Sequence, residues 1–198
     1  MLYDAGLVHR IKLPNLDDDG APYVYGLSDA GVRHCGEGKT FDDHSARTLD
    51  HELDISHFHI ALQELCEAEG ITLHWRQADL KHGVNPDAYF SITRNGKVNH
   101  FFLEVERAKI GNYRDGEPSI IRKFKHYYEY YNTPECEKAW GFRTFRVVTL
   151  LSTAEKRDNV LRAIRDELFH RMFWIGAQQN PTADFRTPKG DSFSFLDV

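Results

Sequence analysis

Pro86-Asp87-Ala88-Tyr89-Phe90-Ser91-Ile92-Thr93-Arg94-Asn95-Gly96-Lys97-Val98-Asn99-His100-Phe101-Phe102-Leu103-Glu104-Val105-Glu106 is the stretch on which the fold turns. At its centre, Asn95-Gly96 supplies two residues that tolerate positive φ, as a two-residue type I′ hairpin turn requires. The flanks are rich in aromatic and β-branched residues, which fit a pleated, half-buried surface. Residues 86–92 therefore read as one strand and Val98 to Glu106 as its antiparallel return. Phe101, Phe102, Leu103 and Val105 are nearly continuous, and that predicts burial on both faces and a central position in a sheet.

Helices and further strands are expected on either side. Leu49, Leu53, Ile60, Ala61, Leu65 and Cys66 recur at helical spacing from about Ser45 to Glu69, with Gly70 as the stop. Ile71 to Trp75 reads as a strand, and Ser119 to about Tyr131 as a helix. Thr144 to Leu151 reads as a buried strand. Ser152-x-x-Glu155 is a capping-box start for a helix running to about Ile175, with Val160, Leu161, Ile164, Leu168 and Met172 as its stripe and Gly176 beyond its end. Upstream, Ala5 to Leu13, the polar Asn15-Leu16-Asp17-Asp18-Asp19-Gly20 turn and Tyr23 to Leu27 carry a hairpin signal, and Ser28 opens a helix. The stretch from Gln178 is loop-like. The expected class is α/β, a mixed central sheet flanked by helices.

Composition bounds the rest. The 198 residues suit one ordinary domain with additions, and 41% hydrophobic residues suffice for one sizeable core. No apolar run approaches the roughly 20 residues that span a bilayer, and the first residues lack the pattern of a signal peptide. Three cysteines without a CxxC pair fit reduced cytosol, hence an expected cytoplasmic location with no membrane partner. Net charge is −5, unevenly spread: residues 1–70 hold 5 Lys/Arg against 14 Asp/Glu, so the remainder carries +4. That division is compatible with a directional surface field and equally with ordinary solvated faces.

The hairpin also places chemistry. Glu104 lies eight residues beyond Gly96 and Asp87 eight before Asn95, so the two belong near one another across the antiparallel pair. Glu104 and Glu106 share a face, because side chains alternate along a strand. Three carboxylates at one strand end repel one another, and a hard cation with oxygen-only ligands, Mg²⁺ or Mn²⁺, would relieve that repulsion. Such an ion could orient a water at a phosphodiester. The plain alternative is a set of exposed strand acids.

Pro86-Asp87 followed by Glu104-x-Glu106, with a helix bearing Lys123 and Tyr127, resembles the PD-(D/E)xK nuclease-like core. More narrowly, the chain resembles the replication-relaxation family of bacterial plasmids and mobile elements. The stretches that carry this are Leu49-x-His51-x-Leu53, Trp75, Pro86-Asp87-Ala88, Leu103-Glu104-Val105-Glu106-Arg107, Lys123-x-x-x-Tyr127, and Phe145 to Thr149 before Arg157. The resemblance implies a residual winged-helix fragment over 1–36, with the wing hairpin and following helix. A linker at 37–44, a restriction-endonuclease-like core over 45–176 and a tail over 177–198 would follow. It implies a DNA-associated protein acting in replication, relaxation or mobilisation. Two versions stay open: a divalent-metal-dependent DNA nuclease, and a catalytically inactive nuclease-fold module that binds DNA or protein. Implied partners are DNA and a second copy in a homodimer, without a small-molecule cofactor. The lysine of the (D/E)xK pattern would fall at position 106, which is Glu106, so Lys123 on the next helix is the candidate substitute, ahead of Arg107 and Lys109.

Other candidate residues each carry a plain structural alternative. His51 and Glu52 lie on the first long helix, as supporting groups or as a structural histidine and an exposed glutamate. His57-x-His59 is no zinc pair, since i and i+2 diverge on a helix. Arg122 to Tyr131 interleaves basic and aromatic residues, and such a mixture can grip phosphates and stack on bases or simply form a helix stripe. Lys125, Arg107, Lys109 and Arg143 are the candidate DNA contacts.

Overall fold

The structure is a computed structural model that describes residues 2–12, 23–36, 46–77, 84–107, 113–114, 117–166 and 170–197. These form two units, Met1–Glu52 and Leu53–Val198. The expected polar turn at 15–20, the 37–44 linker and Leu168 lie outside the described residues.

In the first unit, β1 (Val8–Lys12) pairs antiparallel with β2 (Tyr23–Leu27), Val8 opposite Leu27. Ser28 ends the hairpin and caps α1 (Asp29–Cys35): its hydroxyl accepts the Gly31 N–H at 3.0 Å and donates to Gly6 O. Gly31 is required by close approach, because a Cβ there would stand 2.0 Å from Leu7 O. Arg10 lies over the rings of Tyr3 and Tyr23, 4.5 and 4.9 Å from their centroids. The helix α2 (Ala46–Ala68) runs across the boundary into the second unit.

The second unit is built on a seven-stranded mixed sheet. From edge to edge its order is β11 (Ser192–Phe193), β10 (Phe185–Arg186), β9 (Phe173–Ala177), β8 (Arg146–Leu151), β5 (Lys97–Glu106), β4 (Ala88–Arg94) and β3 (Thr72–Gln77). β3, β4 and β5 form an antiparallel meander; β5, β8 and β9 run parallel; β10 and β11 return antiparallel. The β4–β5 turn has φ of 51° at Asn95 and 76° at Gly96, with Arg94 opposite Lys97, the register a two-residue I′ turn gives. A small pair, β6 (Tyr113–Arg114) and β7 (Glu117–Pro118), precedes α3 (Ser119–Tyr131).

Each face of the sheet is covered. On one, Ile120, Ile121, Phe124, Tyr127 and Tyr130 of α3 pack with Phe102, Val147 and Phe173, together with Cys136 of α4 (Glu135–Trp140) and Val160 of α5 (Ala154–Ala163). On the other, Phe58, Leu62 and Cys66 of α2 meet Phe90, Phe101, Leu103 and Val148. The true stripe of α2 is thus Phe58-Leu62-Cys66, spaced by four, and Ile60, expected in the stripe, is 56% exposed.

Four expectations give way. The helix after β8 stops at Ala163, and Phe173–Ala177 is a buried parallel strand beside β8. A run of Phe-Trp-Ile can be buried as strand or helix, and pairing with Val147 to Leu151 decides it. The cap of α5 is Thr153, one residue later than Ser152; its hydroxyl accepts the Lys156 N–H. Gly176 is not a helix stop: it lies inside β9, where a Cβ would come 2.7 Å from the Phe185 ring. The stretch from Gln178, loop-like in sequence, supplies two strands and the fully buried Phe185 and Phe195. Arg157, 6% exposed, anchors it through Asp184 at 2.5 Å. Among the described residues no helix is long and apolar enough to cross a membrane.

Candidate functional site

Asp87, just ahead of β4, grips β5 at two points. Its N–H donates to Leu103 O at 2.9 Å, and its Oδ2 accepts the Val105 N–H at 2.6 Å. These contacts bracket residue 104. The preceding Pro86 is buried, and the Asp87 carboxylate takes the Val105 N–H in place of a main-chain acceptor.

Glu104 is a carboxylate inside the core, 1% exposed and on the face that α3 covers. Both of its oxygens are engaged from α3: Lys123 Nζ donates to Oε2 at 2.6 Å, and Tyr127 Oη donates to Oε1 at 2.5 Å. Residues 123 and 127 are one helical turn apart and so reach the same spot. Burial pushes the Glu104 carboxyl up to about 7, against Lys123 and Tyr127, which hold it down, and with the Asp87 charge, which adds to the rise. Burial lowers Lys123, but the charges of Glu104, Asp87 and Glu106 outweigh it and hold the ammonium above its ordinary value. Burial and Glu104 together push the Tyr127 hydroxyl well up. The ion pair, with Asp87 and Glu106 in electrostatic reach of Lys123, is therefore one coupled cluster.

Thr149 on β8 is a member the sequence did not reveal. Parallel pairing sets it beside Glu104; it is 1% exposed, and its hydroxyl has no hydrogen-bond partner among the described residues. Only the register between strands 45 residues apart could have pointed to it.

Asp87, Glu104 and Glu106 are the oxygen donors that Mg²⁺ or Mn²⁺ would use. In this arrangement each Glu104 oxygen accepts one hydrogen bond, from Lys123 or Tyr127, and one Asp87 oxygen accepts the Val105 N–H. Among the described residues no group of three or more His, Cys, Asp or Glu side chains is arranged to hold a metal ion. Lys123 offsets one of the carboxylate charges in the cluster.

The remaining candidates disperse. Arg107 turns to the other face of the sheet, where its guanidinium meets Asp54 of α2 at 2.6 Å; Gln178 donates to the same Asp54 oxygen at 2.9 Å. Lys125 is half-buried on α3, and Arg143 is exposed on a cleft beside Tyr131 and Asn132. Lys109 lies outside the described residues. His51 and Glu52 are half-buried on α2 at the close of the first unit. His59 stacks on Trp75, centroids 4.1 Å apart, so its imidazole belongs to packing.

A family model described as Replication-relaxation matches residues 1–145, a stretch that includes Asp87, Glu104, Glu106, Lys123 and Tyr127 and ends just before β8. No curated protein and no solved structure matches the chain. With well over half of its length matched, the chain belongs to the replication-relaxation family.

Proposed function

We propose that this chain is a DNA-associated protein acting in the replication or relaxation of a mobile element. Its sheet would be a restriction-nuclease-like core, and its β1–β2 hairpin with α1 the wing end of a winged-helix domain. In the arrangement described, the core holds DNA and does not cut it. The observation that carries this is the engagement of Glu104: a buried carboxylate whose two oxygens already accept from Lys123 and Tyr127 would ligate a metal ion only in competition with them. Asp87, Glu104 and Lys123 then act as a partly neutralised group that fixes β4, β5 and α3 together. Family membership supports the DNA partner, and the basic balance beyond residue 70 supplies cations for phosphate contact.

Electrophoretic mobility shift with the full chain and a plasmid fragment tests the DNA partner. Retardation should weaken steeply between about 50 and 200 mM salt, as counterion release requires. An unretarded fragment at low salt would remove the DNA partner.

One observation favours a second reading. Lys123 reaches Glu104 across from Asp87, the three residue types that a PD-(D/E)xK site assembles, so phosphodiester hydrolysis is the competing activity. Cleavage of supercoiled plasmid distinguishes the two.

A further inference from the structure

At the other end of the parallel strands from Glu104 lies a cleft of about 490 Å³, within the size range of small-molecule sites. It is formed where β5, β8 and β9 begin, and Asn99 stands roughly 17 Å along β5 from Glu104, at about 3.4 Å per residue. It wraps round the strand ends. Asn99 and Arg146 approach from the side that α2 covers, and Tyr128, Tyr131 and Met172 from the side of α3. Arg171, exposed, completes the rim. No carboxylate occurs among the described residues that line it.

Arg146 is the unusual member. It is half-buried, its Nη1 donates to Asn99 Oδ1 at 3.2 Å, and its guanidinium lies 5.3 Å from the Trp174 ring centroid. Among the described residues no carboxylate pairs with it, and burial lowers its basicity, a cost that a bound anion would offset. Two arginines, each with a planar guanidinium fork suited to phosphate, line one concave site beside two half-buried tyrosines of the kind on which bases stack.

We propose that this cleft binds one phosphorylated nucleotide, with its phosphate on Arg146 and Arg171 and its base against Tyr128 and Tyr131. The unit comes either as a free nucleotide or as one link of a single DNA strand. The site is separate from the carboxylate cluster and does not depend on whether that cluster cuts or holds DNA.

Isothermal titration calorimetry on the full chain tests it with three probes: thymidine 5′-monophosphate, inorganic phosphate and an oligothymidylate. The monophosphate should bind more tightly than phosphate alone. Arg171→Ala and Arg146→Gln should each weaken it about tenfold, the scale of one hydrogen bond to a charged group. Arg171 is exposed, so its replacement leaves the core intact and keeps the test valid should Arg146→Gln unfold. An oligonucleotide that binds more tightly than the monophosphate assigns the site to single-stranded DNA; one that binds no more tightly assigns it to free nucleotide. Absence of binding by both thymidylate probes overturns the proposal. So does binding unchanged in the Arg171 variant, or phosphate binding as tightly as the monophosphate.

Discussion

Lys123 Nζ stands 2.6 Å from Glu104 Oε2, an ammonium on a helix meeting a carboxylate in the middle of a sheet. Glu104 is 1% exposed while the Lys123 side chain is 40% exposed, so the lysine brings charge inward from the solvent edge. A buried carboxylate needs such a partner: removing one member leaves the other charge desolvated and uncompensated. The helix α3 is consequently held to β5 by polarity as well as by its aromatic stripe.

Lys123→Met should destabilise the protein by about 1–3 kcal/mol at pH 8, the cost of leaving a buried acceptor without its partner. Urea unfolding checks it. An unchanged midpoint would show that the ion pair contributes nothing to the fold.

The pH dependence follows from Glu104. Its carboxyl keeps its proton up to about 7 in the folded chain, against an ordinary 4.5. Across that window the folded state binds more protons than the unfolded state, so this group's contribution to stability falls as pH rises. The loss is on the order of 3 kcal/mol between full protonation and full ionisation. Unfolding free energies at pH 5 and pH 8 should differ less in Glu104→Gln than in the wild type. Equal pH slopes would contradict the burial argument.

Phe185→Ala should cost about 3–5 kcal/mol, the range for removing a buried aromatic ring, because Phe185 is fully buried and packs on Gly176. Thermal unfolding that leaves Tm unchanged would mean the C-terminal strands are not part of the sheet.

Among the basic candidates, Arg143 is exposed and Arg107 is committed to Asp54. Arg143→Ala should reduce the salt dependence of DNA binding by about one unit of slope, the value of one phosphate contact, and Arg107→Ala should leave the slope unchanged. Mobility shifts across a salt series decide this. The reverse pattern would place the DNA on the α2 face.

The hairpin was legible because its determinants are local. Asn95 and Gly96 adopt the positive φ that only such residues accept readily, and the count outward from them sets Asp87 beside Glu104. Ser28 and the α3 boundaries were equally local. Phe173–Ala177 is not legible as a strand because its apolar run carries no period of its own, and its strand form comes from pairing with β8. The six residues of α4, from Glu135 to Trp140, offer too short a pattern to register, and its N-cap Pro134 makes no side-chain capping bond. At the site, residue types and spacing named the acids and the lysine. They could not show that Lys123 and Tyr127 hydrogen-bond one to each oxygen of Glu104, or that Thr149 stands beside it, since those are consequences of packing.

Incubating supercoiled plasmid with the full chain in Mg²⁺ or Mn²⁺ tests most directly whether the core holds DNA without cutting it. Plasmid that is retarded at low salt yet stays supercoiled is the expected result. Nicked or linear product, formed by the wild type and lost in Asp87→Ala and Lys123→Ala, would contradict it.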